Sequence, residues 1–200
     1  MGLFNRTKDE AAQVVATPAA DIAGDYTIDP SHTRIGFSAR HAMVTKVRGN
    51  FEDFEGSAHV DTVTPANSSV KVVIKAASVT THNEQRDGHL KTPDFFDVEN
   101  YPEITFTSTN VERNGSEWVI TGDLSINAVT KPVSIPFEET GTAIDPFGNK
   151  RVGFEGETTI DRTDWGLTFN AALETGGVLV SEKVKLEFDI SAIALVPSQA

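Results

Sequence analysis

The sequence contains no cysteine, and only two tryptophans, two tyrosines and two methionines among its 200 residues. The absence of cysteine excludes disulfide scaffolds, thiolate nucleophiles and cysteine-ligated metal sites. It does not identify the compartment, because a chain without cysteine is indifferent to redox conditions. Phenylalanine, with 12 residues, is the abundant aromatic residue of the chain.

Positive charge is also scarce. The chain has 17 Lys and Arg against 29 Asp and Glu, which gives a formal net charge of −12. Such a chain repels the phosphate backbone at long range, and no block or stripe of Lys and Arg offsets the repulsion. The composition therefore predicts no nucleic-acid partner.

Long apolar runs are missing as well. No run reaches the length of a membrane span, and residues 1–20 lack the apolar stretch of about 7 to 15 residues that a secretory signal needs. We therefore expect no stable membrane insertion and a cytoplasmic location. Residues 1–20, rich in Ala, are expected to be a flexible tail, and residues 21–196 to be one domain.

A period of two dominates the rest of the sequence. Residues 183–190 read KVKLEFDI, so that Val184, Leu186, Phe188 and Ile190 share one face and charged residues share the other. This alternation is typical of a half-buried β-strand. About eight such segments follow one another, separated by turn signals such as Asn114-Gly115, which predicts a hairpin. Several are long for strands, and the pattern indicates an all-β fold.

The alternation stops in residues 81–100, which read THNEQRDGHLKTPDFFDVEN. Thr92 is a good N-cap and Pro93 a good first helical residue, so we predict a short helix over residues 93–98. Residues 83–90 are expected to form a further helical turn. The segment is therefore interpreted as a short helical insert between strands.

Four blocks of sequence, in this order, resemble the YceI-like, polyisoprenoid-binding family over residues 24–195. They read GDYTIDPSHTRIGFSARHAMVTKVRGNFEDFEG, SVTTHNEQRDGHLKTPDFFDVENYPEITFTST, TGDLSINAVTKPVSIPF and RVGFEGETTIDRTDWGL. The resemblance implies an extended, antiparallel, eight-stranded, lipocalin-like β-barrel. It also implies a long isoprenoid or other amphiphilic lipid bound inside, and it is compatible with a homodimer. The helical insert would then lie across a barrel mouth or along its side.

An eight-stranded barrel either fills its interior with side chains or holds one ligand. Apolar residues on strand faces are most often simple core, but the resemblance and the long strands favour a ligand cavity. The candidate lining residues are Ile35, Phe37, Val72, Ile74, Phe106, Trp118, Ile120, Leu124, Phe154, Phe169 and Phe188.

A polar head group would need donors near a barrel mouth, and His32, Arg40, His41 and Arg86 are the candidates. Arginine can hold a phosphate through paired hydrogen bonds, and a neutral histidine can contact a quinone or amide oxygen. Two alternatives stay open. Arg40 can equally be an outward salt-bridge partner, and Arg86 with Asp87 can be a structural pair that ties the insert to the barrel.

Three other functions were weighed against lipid binding. A metal site is disfavoured because His82 and His89 do not have zinc-motif spacing. Catalysis is disfavoured because the sequence has no nucleophile elbow, phosphate loop or HExxH motif, although Glu52, Asp53 and Glu55 cluster. A stress-related interaction protein with a filled barrel is the third. The sequence thus predicts a non-enzymatic carrier with no cofactor, whose ligand is a polyisoprenoid lipid or quinone.

Overall fold

The computed structural model describes residues 22–174 and 176–195, so the predicted tail of residues 1–20 lies outside the described part of the chain. It has one α-helix, α1 (Glu84–Leu90), and is otherwise built of strands. In chain order the strands are β1 (Gly24–Ile28), β2 (Arg34–His41), β3 (Thr45–Phe51), β4 (Phe54–Val60), β5 (Ser69–Lys75), β6 (Val79–Thr80), β7 (Glu103–Asn114), β8 (Glu117–Ile126), β9 (Val129–Ile144), β10 (Lys150–Asp161) and β11 (Val180–Ala194).

These eleven segments make a closed, eight-stranded antiparallel barrel, which confirms the predicted fold class. The first three barrel strands are each interrupted. β1 and β2 form one strand broken by the turn Pro30–His32, β3 continues into β4, and β5 continues into β6. The remaining five strands are single segments. β11 closes the barrel by pairing with β2 over its first part and with β1 over its last residues.

Alternation of apolar and polar residues fixes which face of each strand points inward, since a shift of one residue would turn every apolar side chain outward. The hairpin predicted at Asn114-Gly115 joins β7 to β8, and Gly115 has the positive φ of 66° that this turn requires. Register shifts in the β7–β8 and β9–β10 ladders mark bulges, which help long strands to curve around a barrel.

The position of the helix differs from the prediction. α1 covers the segment that was expected to be a minor helical turn, and Asn83 caps it by accepting a hydrogen bond from the backbone N–H of Arg86 at 2.9 Å. The predicted helix over residues 93–98 is wrong, because this segment forms turns. Phe96 N–H donates back to Leu90 C=O at 3.0 Å, and the chain reverses at Asp97 with φ of 44°. This reversal directs Phe95 and Phe96 towards the core.

One end of the barrel, here named the capped end, is where β8 and β10 finish and β9 and β11 begin. The insert, residues 81–100, and the segment 162–174 lie over it. The indole N–H of Trp165 donates to Leu124 C=O at 3.0 Å, and the Asn127 side chain donates to Phe95 C=O at 2.6 Å. The rings of Phe95 and Phe169 pack 5.3 Å apart, so the two covering segments meet.

The opposite end, here named the far end, is packed around a second buried cluster that includes Tyr26, Trp118 and Val152. The Tyr26 hydroxyl donates to Ile22 C=O at 2.9 Å, which fixes the start of the described chain beneath the barrel wall. Among residues 22–174 and 176–195, no helix is both long and apolar enough to cross a membrane.

Candidate functional site

A cavity of about 260 Å³ runs along the inside of the barrel, from the insert at the capped end to Val60 and Trp118 near the far end. Its wall is almost entirely apolar. Ten of the eleven apolar residues selected from the sequence line it, and they come from six different strands. These ten are Ile35, Phe37, Val72, Ile74, Phe106, Trp118, Ile120, Leu124, Phe154 and Phe188.

Phe169, the eleventh, lies outside the cavity wall. Its ring packs against His89 and Phe95 at centroid distances of 4.8 and 5.3 Å, so it supports the cover over the capped end. Sequence reasoning missed several lining residues, among them Phe137, Leu186 and Ile190. The same alternation that identified Phe188 places Leu186 and Ile190 on its face, so the signal was available.

Glycines in the wall keep the cavity open. The tip of the Phe37 ring occupies the space of a side chain at Gly49, where an added β-carbon would stand 2.5 Å from the Phe37 Cζ. Phe106 lies in the same way over Gly122. Because glycine has no β-carbon, these rings lie along the wall and leave the middle of the barrel free.

His32, the first of the predicted head-group residues, belongs to a polar cluster outside the cavity wall. Its Nδ1 lies 2.7 Å from the Asp29 carboxylate, which also accepts from Ser31 and pairs with Arg151 at 2.5 Å. Hydrogen bonds from Ser31 and then from Arg151 hold the pKa of Asp29 well below its usual range. The cluster joins the start of the barrel to β10.

Arg40 and His41, at the end of β2, are exposed and lie outside the residues that line the cavity. The Arg40 guanidinium donates to Val44 C=O at 3.3 Å within the adjoining turn. Ala42 and Met43 have positive φ values and close the hairpin between β2 and β3.

Arg86 ties the insert to the barrel, which is the structural alternative drawn from the sequence. Its Nε donates to Thr81 Oγ1 at 2.7 Å and its Nη2 donates to Thr81 C=O at 3.1 Å. Asp87, next in the chain, accepts from the Thr81 N–H at 2.8 Å. α1 is thereby fastened to the end of β6.

One charged residue that the sequence reasoning did not select lines the cavity. Arg162 follows β10 directly and is 5% exposed. Its even number places it on the same face as Phe154 and Ile160, so strict alternation would have directed it inward. The other polar side chains of the wall are already engaged: His59 lies 2.7 Å from Asp25, and the Ser68 hydroxyl accepts from the Asp61 N–H.

The far end holds a buried ion pair beside the cavity. Arg113 Nη2 lies 3.0 Å from Glu139 Oε2, and the Arg113 guanidinium stacks 4.5 Å from the Trp118 ring centre. The Trp118 indole donates to the same carboxylate at 3.4 Å. Burial, with a smaller contribution from Glu139, raises the pKa of Tyr26. This polar layer borders the cavity at its far end.

No metal centre is formed in the described parts of the chain, where no three His, Asp or Glu side chains are grouped to hold an ion. His82 has a positive φ of 58° at the start of the insert, and the His89 ring pairs with Asp94 at 2.7 Å.

Comparison with known proteins identifies the family. The model of the YceI-like domain matches residues 26–192, nearly the whole of the barrel. The chain belongs to the YceI-like family. Its YceI-like domain is 41% identical over 157 residues to the UPF0312 protein plu2095 of Photorhabdus laumondii, and the match covers 78% of this chain and 82% of that protein.

Solved structures share the barrel of this YceI-like protein. The Campylobacter jejuni YceI protein is 30% identical, with a TM-score of 0.67 over 78% of this chain and 90% of that one. A polyisoprenoid-binding domain from Saccharophagus degradans, implicated in plant cell wall breakdown, has a TM-score of 0.66 over 85% of this chain and 98% of its own. It is 17% identical, so this likeness is one of fold.

Proposed function

We propose that the protein is a non-enzymatic carrier that holds the apolar chain of an isoprenoid lipid inside its barrel. The observation that carries the proposal is the open, apolar cavity that runs through a closed barrel. A filled barrel, the alternative drawn from the sequence, would have its own side chains in that space. The polyisoprenoid-binding domain of Saccharophagus degradans, with the same fold, adds support.

The size of the cavity sets what it holds without rearrangement. An engineered apolar cavity of about 150 Å³ stays dry and binds benzene, so by the same scale a volume of about 260 Å³ takes roughly ten carbon atoms. A longer chain needs wall side chains to move. The insert supplies three of these, Leu90, Phe95 and Phe96, at the capped end.

Burial energies favour a chain over a compact ligand. Each buried methylene contributes about 0.8 kcal/mol, so one five-carbon unit offers roughly 4 kcal/mol. Association costs an estimated 4 to 15 kcal/mol, so about one unit binds negligibly and several bind tightly. Affinity should therefore rise with the number of isoprene units until the chain fills the space that the moving side chains release.

Native mass spectrometry of freshly purified protein, followed by solvent extraction, tests the proposal. We expect a co-purified lipid, or uptake of added farnesol and geranylgeraniol with tighter binding of the longer alcohol. If the purified protein contains no bound lipid and takes up neither alcohol, the carrier function is contradicted. The cytoplasmic location and the homodimer stay predictions, to be checked by cell fractionation and by light scattering.

A further inference from the structure

The hairpin between β2 and β3 differs in charge from the rest of the protein. Residues 30–51 contain four Arg and Lys and no Asp or Glu, in a chain whose formal net charge is −12. Three of these cations, Arg40, Lys46 and Arg48, point outward, because the side chains that the two strands give to the lumen are odd-numbered. These three residues are here named the basic strip.

The basic strip has no compensating charge beside it. Arg40 stands directly opposite Lys46 in the β2–β3 ladder, where like charges are destabilising. All three residues are exposed, and none of them has a carboxylate within 4 Å in the part of the chain that the structure describes. An anion placed against this face would relieve a repulsion that the protein itself leaves in place.

The tip of the same hairpin is apolar. Met43 is 57% exposed and Val44 is 75% exposed. Backbone hydrogen bonds hold the tip in position: Ala42 N–H donates to Leu179 C=O at 2.7 Å, and Val44 N–H donates to His41 C=O at 3.1 Å. Exposed apolar side chains beside cations are typical of surfaces that contact a membrane.

Two more strongly exposed apolar residues, in loops at the far end, have acidic neighbours instead. Val63 is 90% exposed and Phe147 is 89% exposed. The Val63 N–H donates to Asp61, and the Phe147 N–H donates to Asp145. Carboxylates at these positions disfavour an anionic surface. Apolar exposure thus coincides with unpaired positive charge at the β2–β3 hairpin.

We propose that the β2–β3 hairpin attaches the protein reversibly to an anionic lipid membrane. Met43 and Val44 enter the head-group region, and the basic strip lies against the lipid phosphates. The net charge of −12 opposes an approach in other orientations, so the hairpin meets the membrane first. Two apolar side chains and three cations make the attachment weak, and no segment has to span the bilayer.

The proposed contact lies at the capped end of the barrel. His41, at the end of β2, pairs with Val180, at the start of β11, and the insert covers the cavity at the same end. A carrier attached in this way has the cover of its cavity next to the bilayer. The proposal concerns the outer surface, and it goes beyond the carrier function without depending on it.

Vesicle flotation of the full chain tests the attachment. Vesicles of equal parts phosphatidylglycerol and phosphatidylcholine are compared with vesicles of phosphatidylcholine alone, at low and high salt. Each Lys or Arg near an anionic surface strengthens binding about five-fold, so three cations predict up to about a hundred-fold tighter binding to the anionic vesicles. High salt should remove most of this difference. No binding by the wild type, or equal binding to both kinds of vesicle, would overturn the proposal.

Arg40→Gln combined with Lys46→Gln should weaken binding to the anionic vesicles about 25-fold. The double variant also removes the cross-strand repulsion, so its free energy of unfolding should be equal to or above that of the wild type. Lys71→Gln combined with Lys131→Gln is the matched control, since it makes the same change of net charge at exposed positions of β5 and β9. Equal weakening in both double variants would attribute the effect to net charge and contradict the proposal.

A fluorescent label locates the contact. Because the chain has no cysteine, Val44→Cys provides a single site for a polarity-sensitive dye. Its emission should shift to the blue with the anionic vesicles, whereas the same dye on Val63→Cys should not respond. If vesicles bind and the dye at position 44 does not respond, the hairpin is not the contact.

Two further measurements separate this proposal from others. Binding of an oligonucleotide or of an acidic protein through Arg40 and Lys46, without binding of vesicles, would assign the basic strip to another partner and refute the membrane contact. Uptake of geranylgeraniol from solution, measured without vesicles, tests the carrier function alone. Either proposal can therefore fail while the other stands.

Discussion

The ring of Phe137 on β9 lies against Gly156, its partner in register on β10, in the space that a β-carbon at Gly156 would occupy. The ring can lie along the wall only because the partner is glycine. Substitution at Gly156 therefore acts on the lumen through Phe137, which lines the cavity.

We expect Gly156→Ala to push the Phe137 ring into the lumen, reduce the affinity for a long isoprenoid and lower stability by about 1 to 3 kcal/mol, the usual range for overpacking. Lipid titration and chemical denaturation measure the two effects. Gly88→Ala is the control. It lies in α1 with open space around its Cα, and should stabilise the protein by up to about 1 kcal/mol without altering affinity. Unchanged binding in Gly156→Ala would show that the ring does not limit the lumen.

Phe106→Glu tests whether the inward face of β7 contacts the lipid. A carboxylate in the apolar cavity should abolish binding of a neutral isoprenoid, because an unpaired buried charge is far more costly than the chain's burial gain. Thr107→Glu places the same charge one residue along, on the exposed face. It should bind lipid as the wild type does. Native mass spectrometry with geranylgeraniol measures both, and retained binding in Phe106→Glu would refute the placement.

Four acidic residues stand side by side across four strands on the outside of the barrel. The registers pair Glu117 with Glu138, Glu138 with Glu155, and Glu155 with Asp189. Like charges directly opposite on neighbouring strands are destabilising.

Glu138→Lys replaces two repulsions in this row by two attractions. We expect the free energy of unfolding to rise by a few tenths to about 1 kcal/mol, and the gain to shrink at high salt, which screens exposed charges. Urea denaturation at low and high salt measures it. Glu52→Lys makes the same change of net charge in an exposed bend away from the row. Equal gains in both variants would attribute the effect to net charge alone.

The lowered pKa of Asp29 predicts how the stability of the protein changes at acidic pH. Hydrogen bonds from Ser31 and Arg151 lower the pKa of Asp29 in the folded state, while in the unfolded chain it is about 3.9. Its stabilising contribution is therefore complete above about pH 4 and is lost as the pH falls through the folded pKa.

Asp29→Asn should accordingly cost about 1 to 3 kcal/mol at neutral pH. The difference from wild type should narrow steadily below about pH 4. Denaturation curves at pH 7, 5 and 3 measure this, with the exposed Asp123→Asn as the comparison. A difference that stays constant down to pH 3 would show that the Asp29 charge contributes nothing.

The alternation of apolar and polar residues predicted most of the fold and most of the cavity wall. In a strand, the face to which each side chain points follows from its position alone. Val184, Leu186, Phe188 and Ile190, which the alternation placed on one face, all line the cavity, although only Phe188 was selected as a lining residue. The same reasoning was not applied to Arg162, because a charged residue at the end of a strand is normally expected to be exposed. Its burial becomes evident only when the backbone carbonyls of Leu167, Val180 and Ser181 are seen around it.

The helix was misplaced for a different reason. Thr92 and Pro93 carry good helix-start signals, but the gain from burying Phe95 and Phe96 against the core outweighs this weak local propensity. Such long-range packing is not encoded in any short window of sequence. The polar candidates have local partners outside the cavity wall instead: His32 pairs with Asp29, Arg86 donates to Thr81, and Arg40 donates to Val44 C=O in its own turn.

Among the described pairings, β6 is hydrogen-bonded to β3 alone, and α1 lies along its other side where a ladder to β7 would be expected. Thr81, Arg86 and Asp87 fasten this seam through side chains and one backbone N–H. Separating β6 from α1 would break few backbone hydrogen bonds, whereas separating two paired strands would break the hydrogen bonds of their ladder. A lipid too long for the closed cavity would therefore enter with the smallest loss of backbone hydrogen bonds between β6 and α1.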